Sequence, residues 1–330
     1  MSKDADARID ETVDFVAAHP VAAATSAEDH ALIVKCLKDW KRLTSEATRA
    51  KLSAMLSQND SPNRAGKADA RATLRASTLL KCAIATPEPG WAAVATSDKA
   101  TPAAESASMY SAALGVARDY IHSTPEFVNR MLGELREDPL KFLAAHKLTI
   151  NGGNKAGNPV LYKIAMKNGA YSFDCYGANK GRVSVAAVNV IATAYKDVKA
   201  NLGALTPVDS ASGPNCDLLL TTQFTGCTFA FMKSADGSNL LAAHIDPGKG
   251  GGVQGRDVSL AVRQGGGFGG GGNGGQFKAY GRVPNQSGLF GYPESAAQMT
   301  IVGVKAAGTW RLYAQITALD GGLTALRIDA

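Results

Sequence analysis

Along the first half of the chain, apolar residues recur at helical spacing. After Ser26, residues Leu32, Ile33, Cys36, Leu37 and Trp40 fall on one face, so a helix is expected over 26–43. Ser26 is its N-cap, and Asp29 stands three positions on, as in a capping box. SEATRAKLSAML from Ser45 predicts a second helix, ending before the NDSPN turn at 59–63. KADARATLRASTLLKCAIA from Lys67 predicts a third, stopped by TPEPG; residues 86–107, rich in Ala, Thr, Pro and Ser, read as a loop. MYSAALGVARDYI is a fourth. Thr124-Pro125 and Asp138-Pro139 each pair a capping residue with a proline at the first helical position, and so start two more. Residues 1–150 thus form an α-helical module of five or six helices.

The period shortens near NGGNKAGNP (151–159). PVLYKIAM and AYSFDCYG flank a Lys-Asn-Gly turn and read as strands. So do DLLLTTQF, CTFAFMK and NLLAAHI, the last two joined across ADGS. MTIVGVKAAGTWRLYAQI predicts a hairpin across Ala-Ala-Gly. VSVAAVNVIATAYKDVKANLG (183–203), by length and alanine content, predicts a helix ended by Gly203 despite its valines. The fold class is α+β: an N-terminal α-helical module, then a mainly antiparallel β-sandwich-like domain with flanking helices over 151–330. GGGFGGGGNGG (265–275) lacks the Gly-Lys-Ser/Thr of a phosphate loop and reads as a flexible surface loop, with a lid over a site as the less favoured alternative.

Composition narrows the classes. With 330 residues, 45% hydrophobic and 19% charged, the chain can bury a large core. No run approaches the roughly 20 apolar residues of a membrane span. The charged N-terminus has no apolar core like that of a signal peptide, so synthesis in the bacterial cytosol is expected, with any export by a specialised route. Five cysteines without a CxxC, and five histidines without an HExxH, predict reduced thiols, no metal site and no cofactor. Residues 1–150 carry 19 basic and 19 acidic side chains; residues 151–330 carry 16 and 10, and so hold the whole net charge of +6. That excess suits an acidic protein partner or simple solubility. Nucleic-acid binding is disfavoured, because no dense Lys/Arg run with interleaved aromatics occurs.

The chemistry concentrates in TTQFTGCTFAFMKSADGSNLLAAHIDP (221–247). A thiol becomes a nucleophile when an imidazole takes its proton and stays nearby. Gly226 permits a tight turn before Cys227, with backbone N–H groups available to an oxyanion. A hairpin with arms of about six residues would bring His244 back to Cys227. Each residue alone fits a packed core better than a catalytic site; the pair carries the signal. Asp246 is one candidate for a third member. Cys36 and Cys82 lie on apolar helical stretches and are expected in the core. Cys175 and Cys216 have no nearby histidine, and Trp310 and Tyr313 read as core or sheet-edge aromatics.

Thr-Gly-Cys, a strand, a turn and a strand ending in His resemble the Cys-His glutamine deamidases. That family includes the catalytic domain of the cytotoxic necrotizing factors and the chemoreceptor deamidases of bacterial chemotaxis. The resemblance covers about 210–318 and includes FKAYGRV and IVGVKAAGTWRLYAQI; it does not touch 1–150. It implies a deamidase domain with Cys227 as nucleophile, His244 as acid and base, and Thr221, six before the cysteine, orienting His244. Gly226 and Gln223 would serve the oxyanion. Asp246 or a backbone carbonyl remains open as the third member. The implied reaction is hydrolysis of a Gln side chain on a protein substrate by a secreted bacterial toxin or effector. The helical half would then serve delivery, targeting or membrane contact, with a secretion chaperone or machinery as further partner. A cysteine protease or transglutaminase with the same dyad, or a non-enzymatic secretion-associated binding protein, is the alternative.

Overall fold

The structure is a computed structural model that describes residues 2–21, 25–65, 67–85, 101–152, 157–175, 183–194, 206–208, 216–247, 278–283, 291–293 and 296–330. It divides into two compact units. One comprises Met1–His122 with Lys167–Gly169, the other Ser123–Met166 with Ala170–Ala330.

The first unit holds helices α1 (Ser2–Ala18), α2 (Ala27–Leu43), α3 (Glu46–Gln58), α4 (Pro62–Ala65), α5 (Ala68–Ile84) and α6 (Ala103–His122). The expected caps form: Ser26 Oγ accepts from the Asp29 N–H at 3.1 Å, and Ser45 Oγ from the Thr48 N–H at 3.2 Å. Ile9, Val13, Val16, Ile33, Leu37, Leu52, Leu56 and Leu114 are buried together with Tyr110. Two expectations fail here. Helix α6 begins at Ala103, inside the stretch read as loop, because Ser106 Oγ and the Ser106 N–H both bond the Pro102 carbonyl and start the helix early. Cys36 is exposed rather than core, since α2 buries Ile33 and Leu37 and turns position 36 outward.

The second unit begins with α7 (Pro125–Glu137) and α8 (Pro139–Ala145). These belong with the strands, so the boundary falls at 122 rather than 150. The cause is visible in α7: Val128, Met131, Leu132 and Leu135 form one apolar stripe, and it packs into the sheet's own core with Leu148, Tyr162, Phe173, Leu218 and Val302. An ion pair reinforces it, as Arg136 Nε and Nη2 reach the Asp217 carboxylate at 2.6 and 3.0 Å.

The strands are β1 (Leu148–Asn151), β2 (Gly157–Lys167), β3 (Ala170–Asp174), β4 (Val183–Val190), β5 (Ala192–Ala194), β6 (Thr206–Val208), β7 (Leu218–Thr221), β8 (Thr228–Lys233), β9 (Leu240–Asp246), β10 (Lys278–Val283), β11 (Gly291–Pro293), β12 (Ala296–Ala306), β13 (Thr309–Ala318) and β14 (Leu323–Arg327). The larger sheet runs β1-β3-β2-β4-β7-β12-β13-β14; the smaller runs β11-β10-β8-β9-β5, with β6 also on β9. Both are mixed: β4 with β7, and β5 with β9, are parallel, while β8–β9 and β12–β13 are antiparallel. The architecture is α+β.

Strand alternation builds the layers. Leu218 and Leu220 join the core on the α7 side, while Leu219 between them joins Phe229, Phe231, Tyr280, Trp310 and Leu312 in a second core shared by the two sheets. Residues 183–194, expected as helix, are strands β4 and β5. Val183, Val185, Val188 and Val190 favour the pleated, buried position that β4 fills, and packing overrides the alanines. The remainder of that segment, and the glycine-rich 265–275, lie outside the described residues. The Asn168-Gly169 and Ala307-Gly308 turns take the positive φ that two-residue hairpins require. One buried side chain joins helix to sheet: Gln315 of β13 donates from Nε2 to the Leu143 and His146 carbonyls at 2.6 and 2.7 Å and accepts from the Leu148 N–H at 2.9 Å. It thus ends α8 and starts β1.

Candidate active site

The hairpin expected between Cys227 and His244 forms as β8–β9. Thr228 pairs with Ile245, and Phe229 lies directly across from His244. Cys227 immediately precedes β8, and the register carries it toward Asp246, two positions from His244 on the partner strand. Continued one residue past its first pair, the ladder would set Cys227 on the same face as His244 and diagonal to it. His244 is 1% exposed, whereas Cys227 is half-buried at the edge of the core shared by the sheets.

The imidazole is held from two sides. Phe224 stacks on it, with ring centroids 3.8 Å apart and planes 23° from parallel. Thr222 Oγ1 lies 3.4 Å from Nδ1. This corrects the expectation for Thr221. The Thr221 hydroxyl accepts from the Ile301 N–H at 3.1 Å and sits 3.4 Å from the Ile301 carbonyl, wholly buried in the larger sheet.

The difference has a local cause. Leu220 pairs with Val302, and Phe224 bridges Met299. The chain therefore takes four steps (220 to 224) against three on β12 (302 to 299), and the extra residue is a bulge. The bulge frees Thr222 and Gln223 from the ladder and aims Thr222 at the smaller sheet. Gln223 is half-buried beside it. Asp246 ends β9, partly exposed, and its backbone pairs with Ala194.

The turn before Cys227 is open on one side and fastened on the other. Among the described residues, a Cβ built on Gly226 would meet no atom within 4 Å beyond its two chain neighbours, and its φ lies outside the positive range. Gly226 thus relieves no clash or strain; it leaves space in front of the cysteine. On the fastened side, Arg282 Nη1 donates to the Thr225 carbonyl at 3.1 Å, and Tyr292 Oη donates to the Cys227 carbonyl at 3.0 Å. These two residues are register partners on the parallel pair β10–β11. Burial pushes the Tyr292 phenol up, a charged Cys227 beside it adds to the rise, and Arg282 opposes it.

Sequence reasoning missed Thr222, Phe224, Arg282 and Tyr292. Thr222 and Phe224 stand inside the quoted motif, but only the bulge distinguishes Thr222 from its neighbour. Arg282 and Tyr292 lie more than fifty residues downstream with no spacing signal. Among the described residues there is no group of three or more His, Cys, Asp or Glu side chains able to hold a metal ion. No helix among them is long and apolar enough to cross a membrane.

No protein family matches the sequence, and no curated protein does. Among solved structures, the C-terminal domain of CNFy from Yersinia pseudotuberculosis is similar at 9% identity and a TM-score of 0.27, covering 54% of this chain and 75% of that one. Likeness at this level says nothing about chemistry, which must come from the side chains.

Proposed function

We propose that the protein is a glutamine deamidase in which Cys227 is the nucleophile and His244 its acid and base. What carries this reading is the meeting of three features at one end of the β8–β9 hairpin. A half-buried thiol stands just beyond the strand that pairs with an imidazole, a hydroxyl lies 3.4 Å from Nδ1 of that imidazole, and among the described residues nothing beyond the turn crowds Gly226. With Nδ1 carrying its proton toward Thr222 Oγ1, Nε2 is the nitrogen that takes the Cys227 proton. The thiolate attacks the carboxamide carbon of a Gln side chain, and its oxygen becomes an oxyanion facing the Gly226 N–H. Collapse breaks the carbon–nitrogen bond; the imidazolium gives its proton to the leaving nitrogen, and ammonia departs. Water then loses a proton to His244, attacks the thioester and releases Glu and the free thiol. Thr222, in place of Thr221, orients the ring. The +6 charge of residues 151–330 fits a protein substrate with acidic surroundings. On this reading the protein is a bacterial effector or toxin, and its helical unit serves delivery or recognition.

The test is ammonia release from casein and from a cell extract, with intact-mass spectra of the products. Wild type should release ammonia and leave chain lengths unchanged. Cys227→Ser should abolish release, and His244→Ala should lower kcat by about 10²–10⁴. Shorter fragments would point to a protease, and incorporated amine to a transglutaminase. Ammonia release that survives Cys227→Ser, or its absence from both substrates with wild type, would remove the deamidase reading.

A further inference from the structure

The turn bearing Cys227 is gripped from β10 and β11 by two side chains that no part of the catalytic sequence above requires. We infer that Arg282 is a positioning residue for this site: it fixes the Thr225–Gly226 peptide and supplies the positive charge that the ionised thiol faces. The inference rests on Cys227 being the reactive group of the proposed function.

Two observations carry it. The first is direction. A trans peptide points its C=O and N–H opposite ways. Because Arg282 Nη1 draws the Thr225 carbonyl toward β10 at 3.1 Å, the Gly226 N–H of the same peptide points away from β10. Tyr292 Oη holds the Cys227 carbonyl at 3.0 Å in the same manner, so the turn is fastened at both ends of residues 225–227. No neighbouring atom crowds Gly226. The grip therefore sets the direction of a backbone donor at the place where an oxyanion would form.

The second observation is charge. Among the described residues, the titratable groups nearest the turn of Cys227 are Arg282 on β10, Tyr292 on β11, and His244 and Asp246 on β9. Both Cys227 and Arg282 act electrostatically on the Tyr292 phenol, with opposite signs, so the thiol and the guanidinium share one neighbourhood. Arg282 is the permanent cation of the four. Asp246 opposes it, and His244 adds positive charge only when protonated. A permanent cation favours a neighbouring thiolate.

Alkylation by iodoacetamide reads this directly, without any substrate. The Cys227 peptide is followed by mass spectrometry as a function of pH, because Cys36 is also exposed. Arg282→Gln should raise the alkylation midpoint by about one pH unit, and Arg282→Lys should keep most of the wild-type midpoint. With casein as substrate, Arg282→Gln should lower kcat while KM changes little. An unchanged midpoint and kcat in folded Arg282→Gln would overturn the inference. If that variant does not fold, the wild-type midpoint measured between low and high salt decides. A rise with salt supports screening of the half-buried Arg282 cation, and a constant value overturns it. Should wild type release no ammonia while the midpoint still depends on Arg282, the deamidase reading falls and this inference stands.

Discussion

The two ends of the β8–β9 hairpin are built in opposite ways. At the closed end, Asp236 accepts from the Ser238 N–H at 3.0 Å and from the Ser234 and Ser238 hydroxyls at 2.5 and 2.8 Å. Gly237 donates to the Ser234 carbonyl at 2.8 Å and accepts from the Trp310 N–H at 2.9 Å. Lys233, the last residue of β8, meets the wholly buried carboxylate of Asp329 at 2.6 Å, where Arg327 Nε and the Leu312 N–H also donate at 3.0 Å. At the open end, the chain leaves its ladder at a bulge, and among the described residues nothing beyond the turn stands within 4 Å of a Cβ built on Gly226. One end binds its polar side chains within the turn itself, while the other is held through backbone carbonyls by Arg282 and Tyr292 and carries the Cys227 thiol. Stability should therefore respond to changes at the closed end, and chemistry to changes at the open end.

The strongest way to break this contrast is Asp329→Ala. It strands Lys233 beside a cavity and should cost about 3 kcal/mol in denaturant unfolding, since removing one partner of a buried pair leaves the other uncompensated. Acid acts on the same end. Burial alone would raise the Asp329 carboxyl, but hydrogen bonds from Arg327, Lys233 and the Leu312 N–H outweigh it and hold it below the ordinary range. The Ser234 hydroxyl, then Ser238, lower Asp236 to about 2. Both folded-state values lie below the unfolded ones, so the stabilisation is complete above about pH 4 and is lost as pH falls through the depressed values. Unfolding midpoints should be flat from neutral pH to about 4 and then fall toward pH 2, less steeply in Asp329→Ala.

Gly237→Ala comes next. Its φ of +70° disfavours any L side chain, and the new Cβ would stand 2.6 Å from Thr309 Cγ2. A loss of about 2–3 kcal/mol is expected in thermal or denaturant unfolding. The adjacent threonines then separate the two roles. Thr221→Val removes the partner of the Ile301 N–H and should cost about 1–2 kcal/mol of stability. Thr222→Val should leave stability within about 0.5 kcal/mol and lower kcat for ammonia release. The smallest effect on unfolding belongs to Gly226→Ala, within about 0.5 kcal/mol, because nothing stands where the methyl would go. It should instead slow alkylation of Cys227 by filling the approach.

Much of this arrangement was legible in the chain. Ser26, Ser45 and Asp138 announce helix starts through their own side-chain oxygens, and Asn168-Gly169 and Gly308 announce hairpin turns as residues suited to positive φ, which Ala307 also adopts. The β8–β9 pairing follows from two apolar runs of matching length around a polar turn. What could not be read depends on distant partners. Helices α7 and α8 look like continuations of the preceding helices until the sheet that receives their apolar stripe is in place. The valines of β4 outweigh local helix preference only when β2 and β7 flank them. The exchange of Thr221 for Thr222 turns on one extra residue between the Leu220–Val302 and Phe224–Met299 pairs, which no local pattern encodes.

Gln315 sets an order of assembly. The amide that finishes α8 and begins β1 is supplied 167 positions later, so a growing chain carries that corner unfinished until residue 315 has been made. A ribosome-bound intermediate lacking β13 should therefore show frayed 139–150 amides in hydrogen exchange, which become protected only after the last strands arrive.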